Sequence, residues 1–587
     1  MTRSATESTS LLEESPPELR EREGDEGLRA QQDAKKAGPP HQYGALTAYA
    51  VTVNYIVGAG VLGLPNAFFQ AGIALTWITI CFFFFFSVLG CWWVVESLSR
   101  AHGVLDYREA APALDASPAP STPSTTPVEL GDTKPEGTED VEAKSTEGTE
   151  AETKGTEGTA TLSPEAETRR EPDLVLEINS RRHVTFFTMC ELFSGNVLKI
   201  VCDLLIILYC YGTLWAYVAT FSSSLAALIF KYAVGGDQVC DIYVEDPTIE
   251  CQGTYWGCIA LFALLAIPLT LIGISEQQGL QLFLTFYRFL VFALMIITVG
   301  IGLARGKSVA APAPRLWDGD GSGGGGGGGA AESSIAFINY WGFRFSGFWM
   351  MFPTAAYSTN VHYNLPDSIT PCRDKHRLRL VTALAQTTSL VFYLIIGTMC
   401  AAFFDPPQPL ITLSWNSYTG CGNGWAETDV THWWAVAVQL IVVLFPVLDL
   451  ANVYPLVSLT LAGNIEPLLV HVRRRWGKRV SLPVAKLLAC VPPFIVGALF
   501  GKVDIIFTLT GLCGFFLQYV FPPVFQWISV RYITKRWGAE KAKTSASGWW
   551  SHMGWVVATL VVGFSAWAYS FFATGYEIII KPLMNRE

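Results

Sequence analysis

The run Ile73–Leu98 contains five consecutive phenylalanines, Phe82–Phe86, and one charged residue, Glu96. An apolar stretch of that length is too long for a core strand. In lipid it must be a helix, because every backbone donor and acceptor has to be satisfied within the segment. Such runs recur along the 587 residues, and with 51% apolar and 15% charged residues too little polar surface remains for a water-soluble globule. The expected fold class is therefore an all-α membrane protein with eleven transmembrane helices. The first five are Leu46–Ala71, Ile73–Leu98, Val197–Ile229, Tyr255–Ile274 and Gly279–Ala304. The rest are Ile335–Asp367, Leu378–Phe404, His432–Leu461, Leu482–Phe500, Val503–Ile533 and Trp549–Thr574.

Two of these spans are interrupted. Gly58, Gly60, Gly63 and Pro65 break the first at mid-depth, which lipid tolerates only where the released amides and carbonyls face protein, water or a ligand. Unwinding at Val57–Gly60 frees the amides of Gly60, Val61 and Leu62, at the positive end of the half-helix that follows. A carboxylate suits that place, so Val57, Gly58, Ala59, Gly60 and Val61 are candidate substrate-binding residues. The carbonyls ending the preceding half-helix suit a cation, with Asn54 one turn away. In the sixth span Phe345–Gly347 and Pro353 interrupt the run, and Thr354, Tyr357, Ser358, Thr359 and Asn360 follow. Interruptions five helices apart are the pattern of an inverted five-helix repeat, leaving one additional C-terminal helix.

Basic residues set the orientation. Arg373, Lys375, Arg377 and Arg379 follow the sixth span, Arg473–Arg475, Lys478 and Arg479 the eighth, and Arg531, Lys535, Arg536, Lys541 and Lys543 the tenth. These connections are expected in the cytosol, which puts the N-terminus there too and the Asp405–Asp429 loop, free of Lys and Arg, outside. The first forty-odd residues lack the apolar segment of a secretory signal. Residues 1–44 are expected to be a disordered cytosolic tail, 45–100 the first two spans, 101–185 a disordered insert, 186–575 the remaining spans with a Gly-rich loop at 306–334, and 576–587 a C-terminal tail. Between Asp106 and Glu177 there are 18 acidic and 6 basic residues, a net of −12 that exceeds the −10 of the whole chain. The rest is thus slightly positive, and the acidic balance belongs to the insert.

Of thirteen cysteines, Cys240, Cys251, Cys258 and Cys421 fall in or beside the outer loops, where a disulfide is expected, with Cys251 or Cys240 joined to Cys421. No zinc spacing, P-loop or nucleophile elbow is present. No cofactor, metal, enzymatic activity or nucleic-acid partner is expected.

Polar residues within spans are costly and face an interior. Asp449 and Asn452 in the eighth span are candidates, with Asn54, for coupling to a proton or sodium ion. Tyr209, Tyr211 and Tyr217 in the third are candidates to line a cavity, Tyr209 above all. Arg288 and Asp203 are read as structural ion-pair or snorkelling residues.

Asn54, Gly58, Gly60, Leu62, Leu64-Pro65, Ala67 and Ala71-Gly72 together resemble the first-helix signature of the amino acid/auxin permease family. Tyr357-Ser358, Leu365-Pro366, Ile369-Thr370-Pro371 and Leu444–Val447 resemble its transmembrane protein 104-like branch. The resemblance implies the sodium-symporter fold and an amino acid substrate held at Val57–Gly60 and Thr354–Ser358, with proton or sodium coupling. Relatives that use sodium offer Ser or Thr in the eighth span where this chain has Asp449 and Asn452, which favours protons. The function expected is secondary active transport by alternating access, with an amino-acid sensor as the alternative. Finally, Glu7, Leu11 and Leu12 fit an acidic dileucine signal that a sorting adaptor would read. A multi-pass location in an endolysosomal or vacuolar bilayer is expected, the plasma membrane being the alternative.

Overall fold

The computed structural model describes residues 42–115, 174–180, 182, 184–234, 240, 242, 248–272, 278–305, 309–310, 342–426, 428, 431–469 and 477–584. The dileucine residues, most of the acidic insert and Gly323–Gly329 lie outside them. Two units are compact, one of residues 1–103 with 176–587 and one of 104–175. The second contains the C-terminal part of a helix that starts in the first, Ile73–Asp115, which runs past Leu98, where the second span was expected to end.

The first unit is helical. The first span is α1 (Ala45–Ile56) and α2 (Gly60–Ala71), bent by 52° at the break. Gly72 ends α2 at φ +85°, a conformation that spares a longer linker, so the chain turns at once into α3 (Ile73–Asp115). A short helix α4 (Phe186–Phe193) leads into α5 (Asn196–Ile229), and α6 (Ile249–Ile272) and α7 (Gln278–Ala304) complete five spans. Then come α8 (Phe348–Thr359), the short α9 (Leu365–Ile369) and α10 (Leu378–Phe403). The eighth span is α11 (Trp433–Val443) and α12 (Phe445–Ile465), which part where Pro446 opens a new first turn. The ninth divides in the same way at Pro492 into α13 (Lys478–Cys490) and α14 (Pro492–Leu499). The tenth is α15 (Val503–Phe515), a π-helical turn at Phe516–Val520 and α16 (Phe521–Trp537), and the last is α17 (Met553–Gly575).

Among the described residues nine helices are long and apolar enough to cross a membrane, and the bent α1–α2 pair makes a tenth. The sixth span differs most from expectation. Pro353 does not break it but sits within α8, and the chain unwinds only from seven residues after Pro353, over 360–364. Pro366 in the first turn of α9 explains the shift, since proline there starts a helix with Asn364 as its cap.

Packing brings the two broken spans together. The helix α8 lies against α2 and α15, α10 against α1 and α2, and α5 against α12 and α15. Glu96 is not left in lipid. It pairs with Arg100 at 2.8 Å, and Gln526 and Ser547 donate to it at 2.9 and 3.0 Å, which ties α3 to α16 and to the loop before α17. The loop expected outside packs on its own aromatic side chains. There Trp415 and Trp425 stack edge to face 5.7 Å apart, and the 3₁₀ turn Ile411–Ser417 rests on α2 and α5. The disulfide joins Cys240 to Cys251, with Cα atoms 5.2 Å apart, and not either of them to Cys421. Cys251 stands in the first turn of α6, within disulfide reach of Cys240.

Candidate functional site

Gly60 fixes how close the broken spans come. A Cβ at Gly60 would lie 2.7 Å from the Ser358 hydroxyl oxygen and 2.8 Å from its Cα, so the start of α2 packs backbone to backbone on α8. The same atom would be 3.0 Å from the ring of Tyr357. Beside this contact is a buried cavity with about 20 Å³ of free volume, room for about one water molecule. Gly58, Ala59 and Gly60 form part of its wall, and Tyr209 and Tyr357 face it.

Val57, Val61, Thr354 and Ser358 lie outside that wall. The Ser358 hydroxyl donates back to the Thr354 carbonyl at 2.7 Å, so both are engaged within α8. Leu62 is not one of the released amides, because it donates to Ala59 at 3.1 Å. Gly60 and Val61, as the first residues of α2, have no intrahelical acceptor. Tyr211 turns away to donate to Leu488 at 2.7 Å, whereas Tyr217 does line the cavity.

The wall also contains Tyr55, Asn360, Tyr363 and Asn364, which the sequence reading left unassigned. The stretch Asn360–Asn364 is the unwound part of the sixth span, and Pro366 was the signal that could have located it. A further residue, Tyr393 of α10, bridges both breaks. Its hydroxyl is 3.1 Å from the Ile56 carbonyl that ends α1 and 2.8 Å from that of Ser358. The last carbonyl of the first half-helix thus has a protein partner.

The expected cation position is also filled by protein. Arg288 of α7 donates to Asn54 at 2.7 Å and to Asp449 at 2.6 Å, and it reaches the Val53 carbonyl at 3.5 Å. Thr285 adds a 2.9 Å bond to Asn54. Both charged side chains are almost completely buried. A guanidinium therefore stands where the end of α1 would meet a free cation. Asn452 is outside this group, and its amide nitrogen has no hydrogen-bond partner.

A second cavity of about 390 Å³ shares Tyr363 with the first. On its wall, Thr185 caps α4, Asp367 lies in α9 and Asn464 is in the last turn of α12.

Gly58 allows a specific test. A Cβ there would meet the Tyr217 hydroxyl at 3.2 Å, a side-chain end that can yield. Gly58→Ala should therefore fold normally but weaken substrate affinity by about 10-fold. An unchanged KM in the folded variant would remove Gly58 from the site.

Residues 41–120, which include both halves of the broken first span, match the family described as transmembrane amino acid transporter protein. Transmembrane protein 104 of Mus musculus is 23% identical over 547 residues, covering 90% of this chain and 95% of its own length. The homologue of Drosophila melanogaster is 21% identical, covering 84% and 89%, and that of Dictyostelium discoideum 22%, covering 86% and 92%. The resemblance carried by Asn54–Gly72 and Leu365–Pro371 thus holds across most of the chain: it is similar to transmembrane protein 104 and its homologues, and in its first span to the transmembrane amino acid transporter proteins.

Proposed function

We propose that the protein is a secondary active transporter that carries amino acids across a membrane by alternating access and is driven by protons. The observation that carries this reading is the meeting of two unwound spans, at Val57–Ala59 and Asn360–Asn364, on one buried cavity. The substrate carboxylate meets the α2 amides near Gly60, at the positive end of that half-helix. The rest of the amino acid lies toward Tyr357 and α5. The first, second, sixth and seventh spans move as a bundle against the third, fourth, eighth and ninth, as an inverted repeat allows.

Proton coupling is favoured over sodium by the Arg288 guanidinium at the cation position. A proton taken up by Asp449 neutralises it and loosens its hold on Arg288, which releases Asn54 and the end of α1. The acidic dileucine Glu7, Leu11 and Leu12 directs the protein to an endolysosomal or vacuolar membrane, with the N-terminus cytosolic and a luminal proton reservoir.

The test is uptake of a labelled amino-acid mixture into proteoliposomes under separate proton and sodium gradients. Accumulation is expected with the proton gradient alone. Accumulation that needs sodium would overturn the coupling assignment, and none under either gradient would overturn transport.

A further inference from the structure

Resting on that transporter reading, we propose that His362 is a proton-binding site, and that its protonation releases the unwound stretch Asn360–Asn364 from α3 and enlarges the central cavity. Asn360, Tyr363 and Asn364 of this stretch stand on the cavity wall, whereas His362 between them makes its contacts with α3. Its ring is completely buried and lies against Gly90, where a Cβ would be 3.0 Å from Nε2. That nitrogen is 2.9 Å from the Ser87 carbonyl oxygen, which can only accept, so Nε2 carries the ring proton and donates it. It is also 3.4 Å from the Cys91 sulfur. The other nitrogen, Nδ1, is then a bare lone pair, and it has no hydrogen-bond partner among the described residues. Buried polar atoms are almost always paired, so the seat of this ring on α3 is incomplete.

The seat also offers no counter-charge among the described residues. Around it are Ser87 and Cys91 of α3, Gln386 of α10, which reaches the same sulfur at 3.5 Å, and Gln518 of the π-helical turn, which donates to the Ser87 hydroxyl at 2.9 Å. Of these only the Cys91 thiol titrates, and the Tyr519 phenol lies next to it on the turn; both are neutral at physiological pH. The charges further along α3 and α10 are engaged elsewhere, Glu96 with Arg100 at 2.8 Å and Arg379 over the Trp550 ring at 5.0 Å. A second proton on the seated ring would thus be buried without compensation, and it is taken up only as the stretch leaves α3. Once released, an imidazole titrates near pH 6.5 by its ordinary chemistry, where no other side chain of the stretch changes charge. Protons bind the released form and not the seated one, so falling pH favours release, by about 10-fold between about pH 7.5 and 5.5.

The experiment uses the full chain in proteoliposomes loaded with an amino-acid mixture, and follows exchange against the labelled mixture with the same pH on both sides, so that no gradient acts. Exchange should rise about 10-fold from about pH 7.5 to 5.5. In His362→Gln, whose amide can still donate to Ser87 but cannot titrate, the rise should stay below about 3-fold. Gln386→Glu gives the seated ring a counter-charge and lets it take the proton without moving, so it should flatten the profile equally; it serves where His362→Gln fails to fold. A rise of about 3-fold or more in either folded variant would leave the pH dependence to Asp449 and overturn the inference while transport stands. So would a flat profile in the unaltered protein, the result expected if a water molecule simply satisfies Nδ1. No exchange at any pH would overturn the transporter reading, and this inference with it.

Discussion

Asp449→Asn should destabilise the protein by about 3–5 kcal/mol, because it leaves Arg288 buried with its charge uncompensated. A guanidinium stays protonated, so it cannot escape by losing its charge. Arg288→Met should cost less. The carboxylate it strands can take up a proton and become neutral. The two halves of one 2.6 Å ion pair are thus expected to be unequal. The double variant Arg288→Met/Asp449→Leu, with neither charge, should recover much of the loss. Unfolding of the purified variants in detergent would measure this, and equal losses from the two single substitutions would contradict the account.

Gly511→Ala should be as damaging for a steric reason. The added Cβ would stand 1.9 Å from the Pro353 carbonyl oxygen and 2.9 Å from its Cα, backbone atoms that cannot rotate aside. That contact holds α15 against α8, so α8 must move and carry Tyr357 and the start of the unwound stretch with it. A cost of about 3 kcal/mol or more is expected, at the upper end for overpacking. Gly463→Ala is the control, since its Cβ position has nothing within 4 Å. Comparable thermal stability for the two variants would show that the helices part more easily than this geometry allows.

Much of the architecture was legible from sequence because spans must be long and apolar. The third, fifth, seventh and tenth begin within about a residue of expectation for that reason. Breaks are harder to place, because a proline can interrupt a helix or start one. Phe345–Gly347 and Pro353 read as the interruption, yet only the former departs from the α-helix, as a 3₁₀ turn, while Pro353 is accommodated inside α8 and Pro366 starts the next helix. The first break was found because its glycines cluster where the chain unwinds. The disulfide was misassigned because four cysteines in outer loops leave the pairing open, and only the fold brings Cys240 to the first turn of α6. Asp449 and Arg288 were both noticed, but their partnership joins residues 161 positions apart on different helices. No local periodicity records such a pair.

The small size of the central cavity has a consequence for measured affinity. About 20 Å³ holds no amino acid, so on the proposed function the described conformation is one in which the site must first enlarge. If the enlarged form is about 1% of the population, the apparent dissociation constant is about 100-fold weaker than the intrinsic one. A change that only favours the enlarged form would then tighten apparent binding without adding a single contact to the substrate, and weak affinity in an assay would report the rarity of the competent form rather than a poor fit within it.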